Sequence, residues 1–339
     1  VRILIAAGGT GGHIVPALAV AEVLAELGHE VSFVGVGKEI EKKLIKNYPL
    51  AEISFPPFRG QGLGGIYRLV RAIPGAVMSA RKLIRERQID RVIGFGGYPS
   101  FAPIVAAWLL GIPRVLHEQN RVVGLANRWL SRIVSVVFAT QGVRGFSVPV
   151  IELPLPVRKA FREIPPLSGK EKPCLLVLGG SQGAVSVNTA VLSLGSFLKE
   201  RGVGIIHQAG RVDYQRVKDG YASMGVAAEV YDFVEDVAGL MARSTMIISR
   251  AGAMSVAEIS ASGRPAIYIP LPIAGGHQQD NCREVVARGE ALLVLQDGAL
   301  NENLRLGILE LLQGGRFRSH SRGEEIQPER AIAAKLLEL

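Results

Sequence analysis

The sequence predicts an α/β protein made of two doubly wound, Rossmann-like domains facing each other across a cleft. Three observations predict it. Short apolar, β-rich runs alternate with helical patterns along nearly all 339 residues, as expected of a parallel sheet covered by helices on both faces. The pattern restarts after residues 152–169, a stretch carrying Pro154, Pro156, Pro165 and Pro166. Each half opens in the same order, with a strand, a glycine-rich turn and a helix. A chain of this length also exceeds what one hydrophobic core usually serves.

Taken in order, residues 3–7 form the first strand, residues 8–12 a glycine loop, and residues 16–27 an amphipathic helix opened by Pro16, since proline suits a first helical turn. Residues 30–36, 91–95 and 114–117 read as further strands. Residues 101–112 are apolar with one proline, which suits a buried helix and is too short to span a bilayer. In the second half, residues 174–178 are a strand, 179–183 a glycine turn and 187–201 a helix. Strands follow at 204–208, 228–231, 246–249 and 266–270. The crevice between two such domains is the natural binding site.

Glycine loops at strand ends let backbone approach a ligand, and the helix N-terminus behind them favours an anion. Here they read Gly8-Gly9-Thr10-Gly11-Gly12-His13, Gly179-Gly180-Ser181-Gln182-Gly183-Ala184, and Gly94 to Gly97 followed by Tyr98. A dinucleotide fingerprint starting at Gly9 needs glycine where Ile14 stands, and no acidic residue closes the second strand; no P-loop sequence occurs. Cys174 and Cys282 lack metal-ligand spacing and read as reduced core residues. The first residues enter a strand without the layout of a signal peptide, so the expected location is cytoplasmic.

Net charge is +9, and its distribution matters more than its total. Residues 1–150 hold 18 Lys+Arg against nine Asp+Glu, whereas the remainder holds 21 of each. Eight of the cations lie between Arg59 and Arg91. A one-sided basic domain expects an anionic partner. Residues 65–87 place Ile66, Leu69, Val70, Ile73 and Val77 at helical spacing among Arg68, Arg71, Arg81 and Lys82, with Pro74 interrupting them. Such an element is either an amphipathic surface helix packed on the core or a contact with an anionic membrane. No recognition module supports nucleic acid as the partner.

Five motifs occur in order: residues 8–19 (GGTGGHIVPALA), 117–120 (HEQN), 179–184 (GGSQGA), 250–259 (RAGAMSVAEI) and 277–282 (HQQDNC). On these motifs, which span essentially the whole chain, the sequence resembles the MurG family of GT-B glycosyltransferases. The resemblance implies inverting transfer of N-acetylglucosamine from UDP-GlcNAc to the 4-hydroxyl of lipid-linked muramyl pentapeptide (lipid I to lipid II) in peptidoglycan synthesis. It implies an acceptor- and membrane-associated domain at residues 1–157, a donor domain at 158–324, and a helix at 325–339 returning to the first domain. The implied location is the cytoplasmic face of the membrane, with lipid I, the anionic membrane surface and cell-wall synthesis proteins as partners.

The resemblance also implies roles for single residues. Ser181 and Gln182 would meet the donor phosphates, Phe233 and Val234 would border the uracil, and Ala253 and Met254 would lie along the nucleotide. Glu258 would accept from the ribose hydroxyls, Gln278 and Gln279 would hold the sugar, and Arg158 would sit near the nucleotide; Arg250 joins the loops that stabilise UDP. On the acceptor side stand Thr10, Gly11, Gly12, His13, Gly97, Tyr98 and Asn120, with Ile66, Arg68, Leu69, Arg71 and Ile73 as the membrane patch. His13 is the first candidate for the base that an inverting transfer requires; a phosphate contact or a packing role at the helix start are its alternatives. Glu118 is the second candidate, for base or for orienting the acceptor, beside His117 and Asn120. No DxD-type carboxylate pair ends a strand: Asp232, Glu235 and Asp236 read as helix caps, so nothing in the sequence implies a cofactor or divalent ion beyond the UDP sugar. Phe101 stands where the family usually has glycine. A GT-B enzyme acting on another lipid, a UDP-sugar epimerase and a non-catalytic sugar-nucleotide binder remain as alternatives.

Overall fold

The computed structural model describes residues 1–54, 63–120, 123–140, 142–179, 183–272, 277–314 and 327–339, apart from the side chains of residues 63–70 and 277. The chain divides into two compact units, Val1–Arg158 with Glu324–Leu339, and Lys159–Gly323.

In the first unit the strands are β1 (Arg2–Ala6), β2 (Glu30–Gly35), β3 (Leu50–Glu52), β4 (Arg91–Gly94), β5 (Arg114–Glu118), β6 (Val137–Ala139) and β7 (Val150–Glu152). Its helices are α1 (Gly11–Glu26), α2 (Glu39–Leu44), α3 (Leu63–Glu86), α4 (Phe101–Leu109) and α5 (Leu125–Leu130). In the second unit, α6 (Lys159–Arg162) precedes β8 (Cys174–Leu178), α7 (Val185–Ser193), α8 (Gly195–Glu200), β9 (Gly204–Gln208), α9 (Tyr214–Ser223), β10 (Ala228–Tyr231) and α10 (Val237–Arg243). Then come β11 (Met246–Ser249), α11 (Ala253–Ser262), β12 (Ala266–Tyr268), α12 (His277–Ala287), β13 (Ala291–Leu293) and α13 (Leu300–Gln313). The last helix, α14 (Pro328–Glu338), belongs to the first unit and packs along α1.

Each unit holds one sheet. The orders are β3-β2-β1-β4-β5-β6-β7 and β10-β9-β8-β11-β12-β13, and all the described pairings are parallel. Central strands buried on both faces need continuous apolar runs. β1 supplies Ile3, Leu4, Ile5 and Ala6, and β8 supplies Leu175, Leu176, Val177 and Leu178, all of them buried. The expected class, two doubly wound α/β domains, is what the chain forms. In both sheets the order reverses between the first and fourth strands, and ligands of open α/β sheets bind at such switch points, beyond the carboxyl ends of the strands.

Three local expectations are corrected. Helix α1 begins at Gly11, not at Pro16, which lies inside it. The last two loop glycines are therefore helical, and His13 belongs to the first turn. Pro74 does not interrupt α3, which runs through it from Leu63 to Glu86. The single helix expected at 187–201 is two, because one helix ends at Ser193 and the next starts at Gly195.

Candidate functional site

At the first switch point, His13 stands between the ends of β1, β4 and β5. Its Nδ1 donates to the Phe95 carbonyl at 2.8 Å. A carbonyl can only accept, so the proton sits on Nδ1 and the Nε2 lone pair is bare. Gly96 and Gly97 adopt φ of +82° and +70°, which favours glycine twice over. A Cβ on Gly97 would sit 3.2 Å from Nε2, so the missing side chain leaves room at the basic nitrogen. Burial lowers the His13 pKa, opposed in part by the Phe95 carbonyl, the Glu118 charge and Gln119.

Two neighbours make this imidazole's surroundings. The Gln119 side chain contacts His13 Nδ1. The His117 ring is buried against Phe95, centroids 5.1 Å apart, and burial pushes its pKa down to about 4. Gln119 carried no role in the sequence reading, although it lies within HEQN.

Glu118 is buried and fully occupied. One oxygen accepts from Asn120 N at 3.0 Å and Asn120 Nδ2 at 3.1 Å; the other accepts from Gly124 N at 3.1 Å and Asn127 Nδ2 at 3.0 Å. That is the work of a residue that shapes a loop beside the site. Asn127, missed in the sequence, also donates to the His117 carbonyl at 3.2 Å. Glu118→Ala would remove an acceptor from the buried Asn127 amide and all the side-chain acceptors that hold the turn at Asn120 and Gly124, and should cost about 1–3 kcal/mol of stability. Calorimetric unfolding checks this, and an unchanged midpoint would contradict it. Thr10, Gly12 and Asn120 are exposed, while Gly11, Gly97 and Tyr98 are partly so.

At the second switch point, Gly183 and Ala184, ahead of α7, line a cavity with Arg250, which follows β11. Ser181 and Gln182 lie outside the described residues. Arg250 Nη1 donates to the carbonyls of Ile269 at 3.0 Å and Pro270 at 3.1 Å, and Nη2 donates to Ser186 Oγ at 2.7 Å. Ser186 in turn donates to Gln296 Oε1 at 2.9 Å. All three of these Arg250 acceptors are neutral, so they do not cancel the charge of this half-buried guanidinium. Arg250 and Gln278 line a cavity of about 380 Å³ with Gly183, Ser186, Leu271 and Gln296. Gln278 Oε1 accepts from Leu271 N at 2.9 Å, which leaves its NH₂ group to donate.

Ala253 and Met254 open α11, after Gly252 in extended conformation. Their N–H groups belong to the unsatisfied first turn of a helix. Glu258 lies in the second turn, half-buried, and Gln279 is exposed on α12. Asn281, in HQQDNC but without an assigned role, donates to the Ala251 carbonyl at 2.9 Å and ties α12 to the loop before α11. Phe233 and Val234 are partly exposed after β10. Asp236 caps α10, accepting from Gly239 N at 2.8 Å, as expected of a cap. Arg158 is half-buried at the end of the first unit's main segment.

Residues 3–139 match the glycosyltransferase family 28 N-terminal domain, and residues 174–336 its C-terminal domain. The UDP-N-acetylglucosamine--N-acetylmuramyl-(pentapeptide) pyrophosphoryl-undecaprenol N-acetylglucosamine transferase of Syntrophotalea carbinolica is 39% identical over 324 residues, covering 92% of this chain and 90% of its own. The Vibrio cholerae protein of the same name is 37% identical, covering 91% and 89%. Among solved structures, Acinetobacter baumannii MurG superposes with a TM-score of 0.73 at 28% identity, covering 100% of this chain and 99% of its own. A UDP-GlcNAc 2-epimerase from Neisseria meningitidis shares the fold at TM-score 0.67 and 17% identity, covering all of both chains.

Proposed function

From the premise that the chain belongs to glycosyltransferase family 28, we propose that it transfers N-acetylglucosamine from UDP-GlcNAc to the 4-hydroxyl of lipid-linked N-acetylmuramyl pentapeptide, with inversion, in peptidoglycan synthesis. The observation that carries the chemistry is the His13 imidazole, whose proton is held on Nδ1 by Phe95 and whose bare Nε2 opens over Gly97. In the forward step Nε2 takes the proton of the acceptor hydroxyl as its oxygen attacks the anomeric carbon, and the bond to UDP breaks. Charge developing on UDP would be met by the Arg250 guanidinium and by N–H groups at the start of α11. Glu258 would accept from the ribose diol, and the Gln278 amide would donate to the sugar.

Labelled UDP-GlcNAc and a lipid I analogue, incubated with the protein and scored for disaccharide product, test the assignment. No product from a folded protein that binds UDP would sink it.

We place the membrane-facing surface on the first unit. Among the described residues no helix is long and apolar enough to cross a membrane. Met78 on α3 is 69% exposed and Trp108 on α4 48% exposed, with Leu109 beside it. Trp129 on α5 is also exposed, beneath the Arg132 guanidinium at 5.2 Å. Arg71, Lys82, Arg85 and Arg128 supply exposed charge nearby in sequence. Of the expected patch, the side chains of Ile66, Arg68 and Leu69 lie outside the described residues. Ile73 is partly buried and packs against the core. Exposed aromatic and cationic groups suit an anionic leaflet. Trp108→Ser with Arg71→Gln should cut flotation on anionic vesicles about tenfold, at roughly 1 kcal/mol per cation. Unchanged flotation would contradict the assignment.

A further inference from the structure

Glu41 belongs to none of the five motifs and sits in a run of charges, Lys38 to Lys43, that looks solvated. Its side chain is fully buried. Oε1 accepts from Gly9 N at 2.8 Å, and Oε2 accepts from Val36 N at 2.9 Å, Gly37 N at 2.9 Å and Lys38 N at 3.1 Å. A buried carboxylate is tolerated when its lone pairs are filled in this way. One donor comes from the glycine loop after β1 and three from the turn after β2, so a single carboxylate ties together two loops at neighbouring strand ends.

The glycines around it have a cause that separates them into two groups. A Cβ on Gly8 would lie 2.4 Å from Oε1, and one on Gly35 would lie 2.4 Å from Oε2. Those two positions are kept clear by the carboxylate itself. Gly11, by contrast, would meet nothing within 4 Å, and Gly12 only Thr10 Oγ1 at 3.8 Å. The loop therefore has a clamped side and an open side. Lys38 Nζ donates to the Gly9 carbonyl at 3.1 Å, so both polar atoms of Gly9 are held.

We propose that Glu41 is a positioning residue for the transfer: by fixing Gly9 it aims the open side of the loop, residues 10–12, and the first helical turn carrying His13 at the acceptor. This rests on reading the first unit as the acceptor unit. Glu41 itself touches no substrate. Displacing a reacting group by about 1 Å can cost on the order of 100-fold in rate.

Glu41→Gln keeps the shape but turns an N–H group toward backbone donors. With UDP-GlcNAc and a lipid I analogue, kcat per UDP-binding site should fall about 30- to 100-fold. KM for UDP-GlcNAc and the calorimetric affinity for UDP should stay within about twofold, since the donor residues lie in the other unit; a loss of fold would instead lower the number of UDP sites. Gly35→Ala, which pushes the carboxylate from the side away from the loop, should give the same split and serves if Glu41→Gln does not fold. Wild-type kcat in either folded variant, or a fall in donor affinity matching the fall in rate, overturns the proposal. Absence of product from the wild-type protein would overturn the transferase assignment instead.

Discussion

Replacing His13 with alanine should lower kcat by about 10²–10⁴-fold and leave KM for the UDP sugar unchanged. The magnitude is that of a lost general base, and the selectivity follows from its place in the first unit. The Phe95 carbonyl decides which nitrogen is available, and Gly97 leaves space for the attacking hydroxyl. The pH dependence has a definite sign. Burial lowers the folded-state pKa below the ordinary 6.5, so the neutral ring, the form able to accept a proton, persists as pH falls through that value. The acid limb of kcat/KM for the acceptor, which reports groups of the free enzyme, should therefore be centred below 6.5, with about a tenfold loss per pH unit beneath the midpoint. Steady-state rates of wild type and His13→Ala from pH 5 to 8 decide the matter. An alanine variant within tenfold of wild type, or a limb centred above 6.5, would remove His13 from the proton transfer.

Arg250→Ala should raise the dissociation constant for UDP by about 100-fold, or roughly 2.7 kcal/mol. Two effects add. The guanidinium is half-buried and its three neutral acceptors leave its charge uncancelled, so a diphosphate entering the cavity beside it gains an attraction strengthened by low dielectric. The same group holds the carbonyls of Ile269 and Pro270 and the Ser186 hydroxyl, so its removal also loosens the cavity wall. Arg250→Lys should recover only part of the loss, because an ammonium cannot span acceptors that a planar fork reaches together. Titration calorimetry with UDP separates the outcomes. Unchanged UDP affinity with a lowered unfolding midpoint would make Arg250 a strut and nothing more.

The long buried strands were legible in the sequence because their apolar runs have no other home. β8, β9 and β11 begin and end where expected, as does the partly exposed edge strand β10. Of the three-residue strands, β12 was legible from the apolar run around it, whereas β3, β6, β7 and β13 were not, since so few residues carry no periodicity and gain their pairing only from a neighbouring strand. The start of α1 was misplaced because Pro16 looks like a first-turn proline, whereas Thr10 begins the helical hydrogen bonding by accepting from Ile14 N. At the site, motif residues such as His13, Arg250 and Gln278 could be picked out, but their partners could not. Glu41 bonds Gly9 from 32 residues away, and Phe95 bonds His13 from 82 away. Glu118 and Ile73 were visible as residue types, while their occupancy by loop and core depends on packing that a single sequence does not encode locally.

The helix α14 has a consequence for how the protein is made. Ile332, Ala333 and Leu336 are fully buried within the hydrophobic core that also contains Ile3, Ile5, Ala17 and Val20, and Arg330 reaches Glu26 at 3.4 Å. Each large apolar side chain so buried is worth about 1.5–3 kcal/mol. During synthesis the seven strands of the first unit leave the ribosome long before this helix exists, so that unit must wait with one flank of α1 uncovered while the whole second unit is translated and folds. Domains are usually finished in the order they emerge. Here the unit begun first is completed last, and a nascent chain halted before residue 328 should expose the apolar flank of α1 to chaperones and proteases.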